Sequence, residues 1–310
     1  MKIAFVFPGQ GSQSVGMFDG FEGDAVVTQA LDEASNAIGT DLREMASRGP
    51  VDLLNLTTNT QPIMLAGGAA FYRAWQAAGG AAPSVVAGHS LGEYTALVAA
   101  GALTLAQAAS LVRFRAQVMQ EAVPVGVGAM AAILGLDGAR VQDVCASVAQ
   151  GEVVEAVNFN DPAQTVIAGH KAAVERACTA AKEAGAKRAL VLPVSAPFHS
   201  SLMRPAAERL AQRLATENIQ APAIPVIHNV DVATTNDTDE IKAKLVRQAA
   251  APVRWVETVQ AMAAQGVTHL VECGPGKVLA GMAKRIAPQL LIHNIHDRAS
   301  LSATLAALNA

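Results

Sequence analysis

Ser84-Val85-Val86-Ala87-Gly88-His89-Ser90-Leu91-Gly92-Glu93-Tyr94 runs from a β-branched apolar stretch, through a serine flanked by glycines, into the Ala-rich stretch Thr95 to Val112. The first part reads as a strand and the last as helix, which places a G-x-S-x-G sequence, residues 88–92, at a strand-to-helix turn. A nucleophile elbow requires that context. Glycine beside the serine lets the turn be tight enough to project the hydroxyl, and the helix N-terminus offers free N–H groups and positive potential to developing negative charge. Ser90 with Glu93 three residues on also fits the capping-box pattern, under which Ser90 would be only a helix cap. Glycine on both sides favours the elbow.

Outward from this turn, short apolar runs alternate with longer Ala-rich amphipathic stretches, the pattern of a parallel sheet covered by helices. Lys2 to Phe7, Ser84 to Gly88 and His269 to Cys273 are the clearest central strands, and each ends in a Gly-containing turn, where parallel strands place ligand-binding loops. Between Gly128 and Val194 the rhythm changes. Strand-like Ala129 to Leu136, helix-like Ala139 to Gln150, strands around Val153 to Phe159 and Thr165 to Gly169, helix-like Lys171 to Gly185 and strand Arg188 to Val194 spell β-α-β-β-α-β, the split βαβ or ferredoxin-like unit. The expected architecture is an α/β large domain, residues 1–125 and 197–310, with a small subdomain, residues 126–196, inserted across a cleft. Thr95 to Val112 is uncharged and long enough to span a membrane. Its alanines, the break at Gly101 and the capping-box pair Thr104 and Gln107 instead predict two buried helices of a soluble protein.

With 51% apolar and 16% charged residues and a net charge of −3, the 310-residue chain reads as a globular enzyme without the basic runs that bind nucleic acid. The clusters Lys277, Lys284, Arg285 and Arg204, Arg209, Arg213 read as solvated helix faces. Three widely spaced cysteines, Cys145, Cys178 and Cys273, form no metal-ligand pattern and imply a reducing compartment. The apolar start, Ile3 to Phe7, is too short for a signal peptide. A cytoplasmic protein with no membrane contact, metal or cofactor is expected.

The chemistry needs an oxyanion hole and a base. The backbone N–H of Leu91 supplies one donor, and its partner should come from another strand end, where Pro8-Gly9-Gln10-Gly11-Ser12-Gln13 lies. This loop is not a dinucleotide fingerprint, since Ser14 stands where the third glycine would be. Gly274-Pro275-Gly276-Lys277 likewise lacks the rest of a phosphate loop. Seven histidines are candidate bases. His89 adjoins Ser90, and neighbouring side chains diverge in a sharp turn, so it should pack beneath the loop. His199, in Ser195-Ala196-Pro197-Phe198-His199-Ser200, and His228, after the apolar run Ile224 to Ile227, both sit at strand ends, and pattern alone leaves the two open. No carboxylate stands out as a third triad member. Asp231 and Glu272 are available, and a backbone carbonyl could equally accept the second ring N–H.

With Pro-Gly-Gln-Gly-Ser-Gln at 8–13, Gly-His-Ser-Leu-Gly-Glu-Tyr at 88–94 and Gly-Pro-Gly-Lys at 274–277, the chain resembles the malonyl-CoA:acyl carrier protein transacylases nearly end to end. The resemblance implies an α/β-hydrolase-like large domain and a ferredoxin-like small one. It implies a ping-pong transfer from malonyl-CoA to an acyl carrier protein through a malonyl-serine, supplying fatty acid biosynthesis. It assigns Ser90 as nucleophile and His199 as base, leaving His228 structural. It gives the oxyanion donors to the backbones of Gln10 and Leu91 and the malonyl carboxylate to Arg115. Gln248 is a further site residue, near a backbone carbonyl that orients the histidine, and Asn158 and Asn160 face the cleft from the small subdomain. A monomer is expected.

Three readings follow from the same residues: the transferase, for a fatty acid or a polyketide carrier protein; an acyl hydrolase on the same elbow; and a non-catalytic carrier-binding scaffold. Arg115 separates the first two, because a general esterase has no use for a fixed guanidinium beside its acyl pocket. Arg113 lies about 200° away around the same helix and is expected to be solvated.

Overall fold

The structure is a computed structural model that describes residues 1–194 and 196–309; Ser195, within the loop before His199, lies outside the described residues. Among the described residues nine strands form two sheets. The larger contains β1 (Ile3–Phe7), β2 (Val85–Gly88), β7 (Val226–Ile227), β8 (His269–Cys273) and β9 (Leu291–Ile295) in the order β7-β2-β1-β8-β9, all parallel. All five residues of β1 are buried, as a parallel strand covered on both faces demands. Alternation along β1 divides the core. Phe5 and Phe7 turn towards Tyr72 and Trp75 of the helix Thr57–Ala77, and Ala4 and Val6 face Trp255, Val259 and Met282 on the other side.

Because the strands are parallel, β1, β2, β7 and β8 all end at one edge, which brings Gln10, Ser90, Asn229 and Gly274 to the same side of the molecule. The stretch after β2 forms two helices, Gly92–Ala99 and Leu105–Glu121, the second opened by the Thr104–Gln107 capping box. Among the described residues no helix is long and apolar enough to cross a membrane.

The second sheet is separate and antiparallel: β3 (Gly128–Leu134), β4 (Val154–Asp161), β5 (Gln164–His170) and β6 (Arg188–Val191) in the order β4-β5-β3-β6. The helices Gly138–Val148 and Lys171–Glu183 cover one face around Ile133, Val141, Ile167 and Val174. Met130, Val157 and Val166 on the other face pack with Met119, Phe198 and Met203 of the larger part. β6 stops at Val191, three residues before the expected Val194. Pro193 has no N–H to donate to the ladder, and the chain turns away there. Backbone bonds from Phe159 N to Val253 O (3.0 Å) and Val253 N to Val157 O (2.8 Å) tie β4 to the larger part beside the cleft.

Candidate active site

Steric necessity shapes the elbow. A Cβ on Gly88 would overlap the backbone of Gly92, and one on Gly92 would overlap the carbonyl of Phe7. Between them Ser90 takes a left-handed conformation, φ 53°, which a non-glycine residue holds only when its surroundings fix it. Asn229 does part of this, accepting Ser90 N–H at 2.7 Å and donating to Gly88 O at 2.7 Å. Gln248 Nε2 donates to Ser90 O at 2.9 Å. The helix cap alternative fails here: the helix starts at Gly92 without a side-chain cap, and Glu93 turns to other partners.

Ser90 Oγ lies 2.7 Å from His199 Nε2. His199 Nδ1 lies 2.8 Å from Gln248 O, an acceptor only, so Nδ1 carries the proton and Nε2 presents its lone pair to the serine hydroxyl. Among the described residues no carboxylate completes this hydrogen-bonded chain. Asp231 pairs with Lys244 and Arg247, and Glu272 accepts the N–H groups of Leu279 and Ala280 at the start of the helix Val278–Ile286. Burial, reinforced by the Arg115 charge, pushes the His199 pKa down to about 3. The imidazole is therefore neutral at neutral pH, the form a general base needs.

Arg115 is a buried cation, 1% exposed, whose hydrogen-bond partners are all neutral: Gln61 Oε1 at 2.6 Å, Gln248 Oε1 at 3.0 Å and Ser90 Oγ at 3.1 Å. Its guanidinium carbon stands 5.5 Å from the centre of the Tyr94 ring. Such a charge is expensive to bury unless an anion joins it. Arg113, expected in solvent, instead donates to Thr58 O and Asn59 Oδ1 in the first turn of the helix Thr57–Ala77, the same helix whose Gln61 holds Arg115.

Gln10, Gln61, Ser90, Leu91, Arg115, Asn158, Phe198 and His199 all line one cavity of about 110 Å³. That is room for a small acyl group, since about 10–15 Å³ of such space already holds one water molecule. The backbone N–H groups of Gln10 and Leu91 are used by nothing else among the described residues. Asn160 is placed differently. It is buried behind the site, 2.8 Å from His89 Nε2, and His89 rests on Trp255 beneath the loop. A roomier surface cavity of about 530 Å³, lined by Phe18, Leu31 and Arg48 among others, contains neither histidine nor cysteine.

Three residues of the site escape a reading of the sequence. Gln61 sits within a long buried helix, Asn229 follows a two-residue strand, and Glu93 looks like the acidic half of a capping box. His228 does carry a signal, its place at a strand end, but it faces Glu93 at 2.7 Å and both are fully buried. Of the basic cluster near the C-terminus, Lys277 and Lys284 are exposed while Arg285 pairs with Asp161 at 2.8 Å.

The acyl transferase domain family matches residues 4–298. The malonyl CoA-acyl carrier protein transacylase of Escherichia coli (strain K12) is 53% identical over 305 residues, covering 98% of this chain and 99% of that protein. The transacylase of the same description from Bacillus subtilis (strain 168) is 44% identical over 298 residues, covering 96% and 94%. Among solved structures, an acyl-carrier-protein S-malonyltransferase from Burkholderia pseudomallei 1710b superposes with TM-score 0.97 at 63% identity, covering 99% and 100%. A malonyl-transacylase in complex with a type II polyketide acyl carrier protein superposes with TM-score 0.97 at 50% identity, covering 99% and 100%.

Proposed function

The chain belongs to the malonyl CoA-acyl carrier protein transacylases of the acyl transferase family, and we propose on that premise that it moves malonyl from malonyl-CoA to the phosphopantetheine thiol of an acyl carrier protein. The observation that carries this reading is the fully buried guanidinium of Arg115, 3.1 Å from Ser90 Oγ and without an anionic hydrogen-bond partner. It is placed to take the free carboxylate of a malonyl group bound at the serine, through a two-pronged contact that lysine could not make.

Ser90 Oγ attacks the thioester carbonyl while His199 Nε2 takes its proton. The tetrahedral oxyanion rests against the backbone N–H groups of Gln10 and Leu91. Collapse expels the CoA thiolate, which receives the proton from His199, and leaves a malonyl-Ser90 ester. In the second half, His199 takes the proton of the carrier thiol, sulfur attacks the ester carbonyl, and Ser90 recovers the proton as it leaves. Gln61 and Gln248 hold Arg115 in place, Asn158 shapes the cavity wall, and Asn160 contributes from behind through His89. No step calls for a metal or cofactor.

The large part, residues 1–125 and 197–310, is read as α/β-hydrolase-like, supported by a G-x-S-x-G turn between a parallel strand and a helix. The part at 126–196 is read as ferredoxin-like, supported by its β-α-β-β-α-β order and antiparallel pairing. Three free, buried cysteines support a reducing, cytoplasmic setting, and a monomer is proposed. Fatty acid biosynthesis is the proposed setting. The likeness to a transacylase bound to a polyketide carrier favours a second reading in which the acceptor belongs to polyketide synthesis.

Intact-protein mass spectrometry tests the reaction. Malonyl-CoA should add one malonyl group on the peptide containing Ser90, and either carrier protein, added next, should remove it and gain it. A chain that acquires no mass, or that releases free malonate at the same rate with or without carrier, would contradict transfer.

A further inference from the structure

Beneath the elbow lies a carboxylate that the reaction above leaves unused. Glu93 is fully buried and both its oxygens are engaged: Oε1 with His228 Nδ1 at 2.7 Å, Oε2 with Asn229 N–H at 2.9 Å and Gln248 Nε2 at 2.8 Å. Two of these donors lead straight to the site. Asn229 clamps the backbone on both sides of the strained turn, at Gly88 O and Ser90 N. Gln248 holds Ser90 O with the same nitrogen that Glu93 receives, turns its side-chain oxygen to Arg115, and offers its backbone carbonyl to His199.

We infer that Glu93 is a positioning residue: it locks the Gln248 amide with nitrogen towards Ser90 and oxygen towards Arg115, and thereby sets both the elbow and the guanidinium that meets the acyl carboxylate. The two ends of an amide are nearly the same size, so packing cannot choose between them, whereas hydrogen-bond polarity can. Reversed, the amide would aim N–H groups at Arg115 and its oxygen at Glu93, and both contacts would repel. A neutral glutamine at position 93 loosens the lock, leaving only Ser90 O and Arg115 to hold the amide, since its own amide must turn a donor towards donors or surrender an acceptor. The rival account is a buried Glu93–His228 pair that only stabilises the fold, in which case changing either partner has parallel effects.

This inference rests on the transfer reading, and the two are separable in one experiment. Malonyl-CoA and acetyl-CoA are compared as acyl donors by the kcat/KM for forming acyl-Ser90 in wild type, Glu93→Gln and His228→Gln, with melting temperature measured alongside. Failure of wild type to take malonyl would overturn the transfer reading alone. Glu93→Gln is expected to lose about 10²-fold with malonyl-CoA, the loss that a displacement of about 1 Å brings. The neutral acetyl group should lose roughly tenfold less, because it does not use the redirected guanidinium. His228→Gln keeps an N–H donor for Glu93, so it should shift melting and leave the malonyl-to-acetyl ratio at its wild-type value. An unchanged ratio in Glu93→Gln, or the same change in His228→Gln, would overturn the assignment. If Glu93→Gln does not fold, the side-chain amide signals of Gln248 in the wild-type protein, identified by their loss in Gln248→Met, decide the matter. A locked amide gives two resolved signals protected from solvent exchange, and exchange at the rate of a free glutamine would refute the lock.

Discussion

Arg115 Nη2 donates to Ser90 Oγ across 3.1 Å, so the cation placed to read the acyl chain touches the atom placed to carry it. A positive charge there favours the serine alkoxide as it forms. It also disfavours a proton on His199, whose Nε2 is 2.7 Å from the same oxygen. Nucleophile, base and cation are thus one electrostatic unit.

The pH dependence of acylation should show this coupling. The His199 pKa is lowered from 6.5 to about 3, by burial first and Arg115 second, so the free enzyme keeps its base unprotonated well below neutrality. With acetyl-pantetheine, a thioester donor with no group that titrates in this range, kcat/KM should stay level from about pH 8 to about pH 5. In Arg115→Ala the acid limb should move up towards 6.5. A wild-type limb at 6.5, or one unmoved by Arg115→Ala, would contradict the coupling. Stability follows the same sign: the unfolded chain takes up this proton first, so stability present above 6.5 is lost as pH falls towards about 3, and His199→Gln should flatten that loss.

The glycines of the elbow should tolerate no side chain. Gly88→Ala drives a methyl into the Gly92 backbone, an overpacking that costs about 3 kcal/mol or more. The melting temperature should drop and a fluorophosphonate should no longer label Ser90. Normal melting with normal labelling would show that the turn is looser than described.

Carrier docking should depend on exposed basic side chains. Lys277 and Lys284 are exposed, whereas Arg285 is occupied by Asp161. Acyl carrier proteins are acidic, and this chain's net charge of −3 cannot attract them. Lys284→Glu should slow transfer to the carrier roughly tenfold at low ionic strength and leave acylation by malonyl-CoA unaltered. Equal transfer rates would remove this patch from consideration.

The parts of the fold that could be read in advance are those where local chemistry and global role agree. β1, β2 and β8 are continuous apolar runs closed by glycine turns, and the antiparallel sheet follows its expected order of elements. The edge strands carry weaker signals: β7 has two residues, and β9 is broken by His293 and Asn294. Gly67 and Gly68 interrupt a helical pattern for a reason visible only in three dimensions, the close approach of Phe18, Pro275 and Thr95. In the site, Ser90 announces itself through its flanking glycines. His199, in the loop well beyond β6, and His228, directly after β7, are both buried histidines, and only their partners, Ser90 for one and Glu93 for the other, tell them apart. Glu93 itself is hidden by its spacing, since Ser-x-x-Glu before a helix has a simpler local meaning.

Replacing Arg115 tests the central claim most directly, because it separates recognition of a carboxylate from the chemistry of the thioester. Without the guanidinium, a malonyl carboxylate would enter a buried cavity unpaired, which costs roughly 2–5 kcal/mol. Malonyl transfer in Arg115→Ala should therefore fall about 30-fold to several thousand-fold in kcat/KM. Acetyl transfer should fall far less, losing only what the charge lends to the forming alkoxide. Arg113→Ala, two residues away but bonded to Thr58 and Asn59, should leave the ratio of the two substrates at its wild-type value. The measurement is kcat/KM for malonyl-CoA and acetyl-CoA in wild type and both variants. A selective loss of malonyl at Arg115 is the expected result; equal losses for both substrates there, or selectivity lost at Arg113 instead, would contradict the account.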